Sequence, residues 1–491
     1  MSQIKFGTDG WRAIVADTFT FENVRRVTQA IADYVNHQQI GHRGIVVGYD
    51  YRFLGNRFAE AVTEVLMGNG ISVFLLPQGT PTPVTAFIIQ HRQAAGAVML
   101  TASHNPPEYN GIKFIPEYAG PALPAITDEI ERFLLKVLQE DPEPAGGKAD
   151  FVPAKAGSTR VKHLPLAKGR QLGLLQEVQP EEAYLTHLQS VVDVEGIRHH
   201  PLKVVIDPMF GCGIGYLEKF LLGAGCQVET IHSYRDPLFG GIVPEPMGKW
   251  LTELQSRVQE TGADLGLAMD GDADRFGIVD RQGNYVSANQ VLYLLFYHLL
   301  HTRQYRGPVA RTVATTHMLD RIARKYGLAV EETAVGFKYI GQALLERGAL
   351  LGGEESGGLS IHGHIPEKDG ILAAALMAEL VATGGKDPNQ LSQEIAAEYG
   401  LLVSERIDIH STQEEKERIL GILQSFHPAY LADFKVIERI THDGVKLLLE
   451  RDNWLLIRAS GTEPLFRLYV EAEDWESLKR IQQAAIKLLG L

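Results

Sequence analysis

The sequence is short of several features that would assign it quickly. Its 491 residues include two cysteines, Cys212 and Cys226. That is too few for a disulfide framework or a cysteine metal cluster, so both are expected as reduced thiols. No apolar run approaches the roughly 20 residues that span a bilayer. The longest apolar helical pattern, VLYLLFYHLL at 291–300, reads as a core helix. The opening MSQIKFGTDGWRAIV lacks the basic-then-apolar layout of a secretory leader, so a cytoplasmic location is the expectation. Positive charge is also in deficit: 47 Lys and Arg stand against 60 Asp and Glu, a net −13. This argues against nucleic acid or an anionic membrane as partner, and an anionic substrate would need a locally basic pocket.

Familiar nucleotide and hydrolase signatures are missing too. There is no Walker loop and no G-x-S-x-G elbow. Gly211, Gly213 and Gly215 follow an apolar run, but the dinucleotide fingerprint needs glycine at 216, where Tyr216 stands.

What remains is an alternation of short β-branched runs with longer helical patterns. GIVVGYD (44–50), ISVFLLP (71–77) and AGAVML (95–100) enclose helical stretches, and this rhythm predicts an α/β fold with a mostly parallel sheet. It restarts at LKVVIDPMFG (202–211) and at GPVARTVATT (307–316). Three such modules suggest three related α/β domains, consistent with roughly 150 residues per domain. The segment 140–165, rich in Pro, Gly, Ala and Lys, reads as a boundary. From about Gly400 the pattern changes to strands, the helix EEKERILGILQSF and a last helix WESLKRIQQAAIKLLG, a compact α+β domain.

Four segments carry candidate chemistry. TASHNPPEYNGIKF (101–114) sets Ser103 beside His104, with Lys113 downstream. Ser103 could cap a turn, act as a hydrolase nucleophile, or carry a group and return it. A serine hydroxyl is a weak nucleophile without help, and sequence neighbours seldom have dyad geometry. DGDADRFG (270–277) places Asp270, Asp272 and Asp274 at alternate positions, with Gly271 for tight curvature. Such carboxylates suit a hard cation such as Mg²⁺ or Mn²⁺. A calcium EF-hand loop would need Gly and Glu where Arg275 and Arg281 stand. GGEESGG (352–358) offers acceptors suited to sugar hydroxyls, or is a polar turn. RASGTEPLFR (458–467) combines hydroxyls, close backbone N–H groups and two arginines, either a phosphate cradle or a pair of surface ions.

Together with FGTDGWR at 6–12, these segments in this order resemble the signature set of the α-D-phosphohexomutase superfamily, essentially along the whole chain. The resemblance implies three related mixed α/β sandwich domains and a C-terminal α+β domain similar to the TATA-binding-protein fold, around a central cleft. The corresponding divisions are 1–165, 166–286, 287–400 and 401–491, carrying in turn a phosphoserine loop, a metal loop, a sugar loop and a phosphate loop. Residue by residue, it implies Ser103 as the phosphoserine, and Asp270, Asp272 and Asp274 as Mg²⁺ ligands joined by an oxygen of phosphorylated Ser103. Glu354 and Ser356 would read sugar hydroxyls. Arg458, Ser460, Gly461, Thr462 and Arg467 would grip the non-reacting phosphate. Arg12, Lys113 and Arg275 would line the reacting centre, with Lys113 and His104 as proton carriers. Lys249, Phe337, Lys338 and Lys368 fall where specificity loops are expected.

The implied reaction moves a phosphoryl group between Ser103 and a hexose phosphate, through glucose 1,6-bisphosphate as intermediate or activator, in a monomer or homodimer. Glu355, giving GEES where related subfamilies resemble GEQS or GEMS, points to a phosphoglucomutase. Gly461 stands where dual-specificity enzymes resemble R-x-S-N-T. The alternatives are a glucose-1,6-bisphosphate synthase, a dual phosphomannomutase/phosphoglucomutase, a non-catalytic sugar-phosphate sensor, and a serine hydrolase or phosphatase.

Overall fold

The computed structural model describes residues 4–7, 9–140, 160–459 and 465–490. Most of the boundary segment 140–165, and Ser460, Gly461 and Thr462 of the expected phosphate loop, therefore lie outside the described residues. The chain forms two compact units. One comprises Met1–Ser287 with Gly357–Gly385, the other Ala288–Ser356 with Lys386–Leu491.

The first unit holds two sheets. One has the spatial order Trp11–Ile14, Tyr109–Pro116, Gly96–Leu100, Ile45–Tyr49, Val73–Leu75, Leu175–Glu177. The other runs Tyr285–Val286, Phe276–Val279, Leu265–Met269, Lys203–Asp207, Gln227–Thr230. The mostly parallel sheet expected from the βαβ rhythm is in fact mixed. Helical crossovers join the parallel pairs. Two connections that begin TASHNPPE and DGDADR instead turn back without a helix, so the next strand adds antiparallel. Both candidate catalytic segments are these returns.

Helix Gly370–Gly384 completes this unit. It is buried almost throughout and packs on strands Leu265–Met269 and Phe276–Val279. Its all-round apolar sequence, GILAAALMAELVATG, suits a helix covered on every side.

The second unit contains parallel strands Val330–Thr333, Val309–Thr312 and Leu351–Glu354. It also contains a six-stranded antiparallel sheet in the order Val403–His410, Leu465–Ala472, Trp454–Ala459, Val445–Leu449, Phe434–Ile440, Tyr430–Leu431. Helices Gln413–Ser425 and Trp475–Leu489 pack over that sheet's core. Thr412 with Glu415 forms a capping box on the first, and Asp474 caps the second. Helix Ala288–His301 is the buried core helix expected at 291–300. Among the described residues no helix is long and apolar enough to cross a membrane.

Candidate active site

The two helix-free returns of the first unit meet. Residues 101–108 link the paired strands Gly96–Leu100 and Tyr109–Pro116. Within this loop the turn is capped by Thr101, whose Oγ1 accepts from the Ser103 backbone N–H at 2.8 Å. Ser103 is thus free of the capping duty considered for it. It sits at φ +50°, a left-handed conformation disfavoured for a residue with a Cβ, and is 1% exposed. Its hydroxyl donates to Asp270 Oδ2 at 2.7 Å and lies 3.2 Å from His104 Nδ1. The Ser–His neighbours do come within hydrogen-bond reach, because the left-handed turn brings the two side chains to one side.

Residues 270–275 close the hairpin between strands Leu265–Met269 and Phe276–Val279. Asp270 Oδ1 accepts the Arg275 N–H at 3.0 Å, which folds the loop so that one oxygen from each of Asp270, Asp272 and Asp274 lies within 4.8 Å of the others. The curvature assigned to Gly271 comes instead from Ala273, at φ +58°. Gly271 is required by proximity, because a Cβ there would stand 2.7 Å from the Ser103 carbonyl oxygen.

All three aspartates are buried. Burial, reinforced by the Asp272 and Asp274 charges, drives the Asp270 carboxyl well above its ordinary range. Burial would also raise Asp272, but Lys113 and the Thr82 hydroxyl hold it below that range. Thr82, at the start of helix Thr82–Arg92, donates from Oγ1 to Asp272 Oδ2 at 2.7 Å and from its N–H to the Asp272 carbonyl at 3.0 Å. Asp272 Oδ1 and Asp274 Oδ1 are buried with no hydrogen-bond partner among the described residues. Two orphaned carboxylate oxygens beside a carboxyl forced toward protonation fit a hard divalent cation, and these residues could hold one.

Lys113 Nζ lies 2.8 Å from Asp9 Oδ2, 3.1 Å from Asp272 Oδ2 and 3.2 Å from Asp274 Oδ2. Burial opposes its charge, yet these carboxylates outweigh burial and raise its pKa. His104 goes the other way. Burial, then the Arg275 and Arg12 charges, keep it well below its usual value and therefore neutral. Arg12 donates to Asn105 Oδ1 at 2.7 Å, and the Arg275 guanidinium lies 3.6 Å from Glu245. Lys368 joins the cluster, 3.2 Å from Asp274 and 3.2 Å from Glu367. Lys249 lies over the Trp250 ring instead, 5.3 Å from its centroid.

The second unit holds the remaining candidates. Glu354 is nearly buried and accepts from the Ser356 hydroxyl at 3.0 Å. Glu355 turns back into its own unit, accepting from Thr312 at 3.1 Å and Thr315 at 3.4 Å. Phe337 and Lys338 open helix Phe337–Glu346, with Phe337 buried in its core. Arg458 and Arg467 stand directly opposite on adjacent antiparallel strands. Like charges in such a pair repel, and only partly does Asp443, 2.9 Å from Arg458 Nε, relieve them. Arg467 Nε is buried with no hydrogen-bond partner among the described residues. A facing arginine pair in this state suits an anion.

Four further residues of the site, Asp9, Arg52, Thr82 and Glu367, were not among those the motifs pointed to. Asp9 lies inside FGTDGWR and could have been singled out. The others carry no local signal, because only the fold brings them to the loop.

Comparison with known proteins bears on this geometry. Models of the phosphoglucomutase/phosphomannomutase α/β/α domains I, II and III match residues 3–141, 182–283 and 287–399, and that of the family's C-terminal domain matches 415–488. A phosphoglucomutase/phosphomannomutase of Thermococcus kodakarensis is 30% identical over 484 residues, covering 99% of this chain and 98% of the relative. A Pyrococcus abyssi protein named probable phosphoglucosamine mutase is 32% identical over 491 residues, covering 99% and 97%. The crystal structure of a Thermus thermophilus protein assigned as a phosphomannomutase aligns over 100% of both chains, with a TM-score of 0.82 and 32% identity.

Proposed function

Because the chain belongs to the α-D-phosphohexomutase superfamily and is a phosphohexose mutase, we propose that its reaction interconverts glucose 1-phosphate and glucose 6-phosphate. The observation that carries the chemistry is Ser103, whose buried hydroxyl is 2.7 Å from Asp270 of the aspartate triplet and 3.2 Å from His104 Nδ1. The GEES loop is what favours glucose.

In this reading phosphorylated Ser103 gives its phosphoryl group to a hydroxyl of the bound hexose monophosphate. The serine O–P bond breaks, a sugar O–P bond forms, and the sugar hydroxyl loses its proton. The resulting 1,6-bisphosphate then presents its other phosphate: Ser103 Oγ, reprotonated at the end of the first transfer, takes that group as the second sugar O–P bond breaks, and its proton passes to the released sugar oxygen. His104, held neutral, relays these protons between the serine and sugar oxygens. Lys113, held charged by three carboxylates, serves as a fixed positive charge rather than a base. Arg12 and Arg275 steady the reacting phosphate, because such transfer depends chiefly on positioning and charge neutralisation. Asp270, Asp272 and Asp274 would hold Mg²⁺, which when bound neutralises charge on the transferring group. Glu354 and Ser356 read sugar hydroxyls, and Arg458 and Arg467, with Ser460, Gly461 and Thr462, grip the phosphate that is not reacting. The family domains are assigned to 1–165, 166–286, 287–400 and 401–491.

A second reading, glucosamine phosphates, is favoured by relatives named as phosphoglucosamine mutases. One panel separates these: glucose, mannose and glucosamine 1-phosphates, each with and without its 1,6-bisphosphate, following isomer and bisphosphate together. Fastest turnover of glucose phosphates upholds the proposal. Faster turnover of glucosamine or mannose phosphates replaces it, and net accumulation of bisphosphate identifies a synthase.

A further inference from the structure

We infer that Arg52 is a positioning residue for the nucleophile, whose guanidinium fork locks the left-handed turn that aims Ser103 at the aspartate hairpin. The inference rests on Ser103 being the phosphoryl carrier.

Arg52 is fully buried beneath the serine loop. Its Nη1 donates to the carbonyls of Pro106 at 2.8 Å and Tyr109 at 3.0 Å. Its Nη2 donates to the carbonyls of Ser103 at 2.7 Å and Asn105 at 2.6 Å. One side chain thus gathers four carbonyls from seven consecutive residues. A helix-free loop that returns a strand has no ladder to satisfy such groups, and buried carbonyls need partners. Asp50 orients the fork: its Oδ1 accepts the Arg52 N–H at 2.9 Å, and its Oδ2 lies 3.3 Å from Arg52 Nε. The Phe239 ring covers the guanidinium face, with its centroid 4.9 Å from the central carbon.

The Ser103 carbonyl ties this arrangement to the reaction. It is the same oxygen that a Cβ at Gly271 would meet at 2.7 Å. Arg52 therefore holds the peptide against which the aspartate hairpin packs. The strained φ of Ser103 persists because both ends of its turn are bound, at Thr101 and at Arg52. Freed of Arg52, the turn can relax to right-handed backbone, and Oγ leaves Asp270. Lysine keeps the charge but not the planar fork, and one ammonium cannot reach four dispersed carbonyls.

The test is Arg52→Lys in the full chain, with Ser103→Ala as reference. Loss of nucleophile alignment by about 1 Å predicts a fall in kcat of about 100-fold. KM for the sugar phosphate should stay within about threefold, because the Arg52 guanidinium is spent on the carbonyls of the serine loop rather than on the groups proposed to bind the sugar phosphate. The ³¹P resonance of phosphoserine, formed with glucose 1,6-bisphosphate, should shift or broaden, a change that lost stability alone would not produce. A folded Arg52→Lys protein with parental kcat and an unchanged resonance overturns the inference. If that variant does not fold, Asp50→Asn decides: about tenfold lower kcat at unchanged KM supports the positioning role, and parental kcat overturns it. Turnover by Ser103→Ala would instead overturn the carrier assignment, whatever Arg52 does.

Discussion

Two buried lysines, one in each compact unit, show what separates a site from a scaffold. Lys113 in the first unit lies within 3.2 Å of Asp9, Asp272 and Asp274. Lys446 in the second lies 2.8 Å from Glu332 and 3.0 Å from His317 Nε2, over the Trp454 ring at 4.7 Å. Both are almost unexposed. Around Lys113 the carboxylates overcome burial and raise its pKa. Around Lys446 burial prevails, the Arg311 charge adds to it, and the pKa falls to about 8. The first cluster has anionic oxygens to spare, two of them without a hydrogen-bond partner among the described residues, and so suits a further cation. The second is closed: Arg311 is paired to Asp320 and Glu332, and Glu471 accepts from Trp454 Nε1 at 2.9 Å and the His317 N–H at 2.8 Å. Surplus charge marks chemistry, and balance marks structure.

The sharpest break in this contrast is Ser103→Ala. It should lower turnover by at least about 10⁴-fold while sugar-phosphate binding, followed by calorimetry, stays nearly parental. Turnover near the parental rate would leave the first cluster without its carrier. Next is Asp272→Asn, which removes one charge from the triplet. The Mg²⁺ activation midpoint should rise and kcat should fall, each by about 10- to 100-fold. An unchanged metal titration would show that the surplus oxygens are not ligands.

Substituting each lysine by methionine then sets the clusters against one another. Lys113→Met takes the nearest cation from the buried Asp272 and Asp274 and from the half-buried Asp9, and should cost the metal-free protein about 3 kcal/mol, partly restored by Mg²⁺, and should also slow turnover. Lys446→Met leaves Glu332 still bonded to Arg311, so the loss should be about 1 kcal/mol with kcat unchanged. Thermal unfolding with and without Mg²⁺, beside initial rates, reads both. Equal responses would erase the distinction.

Much of this contrast was legible in the sequence on one side only. The aspartate triplet, Ser103, Lys113 and the paired arginines lie in short segments whose composition states their chemistry. So do the helices with clear amphipathic stripes. The parallel strands were legible, but the antiparallel returns were not, because a strand's direction is set by whether a helix crosses over. Helix Gly370–Gly384 is apolar on all faces and has no stripe to read. No local pattern singles out Arg52, or Thr82 at the head of its helix, and only folding brings them to Ser103 and Asp272. The Lys446 network draws on residues 311, 317, 332, 446, 454 and 471, scattered over strands and turns, and no local pattern announces it.

The last comparison distinguishes the two lysines by the sign of their pH dependence. Lys446 has a folded pKa of about 8 against 10.5 when unconstrained. Below pH 8 both folded and unfolded chains carry the proton, and the cost of burying it is fully present. Between pH 8 and 10.5 the unfolded chain binds more protons than the folded one, so this residue's contribution to stability rises with pH. The relief should approach roughly 3 kcal/mol by about pH 10.5. Lys113, its pKa raised on folding, contributes stability that is complete below 10.5 and is lost only above, so it gives no slope in this window. Urea unfolding of the parent and of Lys446→Met at about pH 7.5, 8.5 and 9.5 should show a difference that shifts in the parent's favour as pH rises. The same comparison with Lys113→Met should be flat. A flat line for Lys446 would mean that its cluster keeps the charge after all, and that closure of a network, rather than its balance of charge, is what sets the scaffold apart from the site.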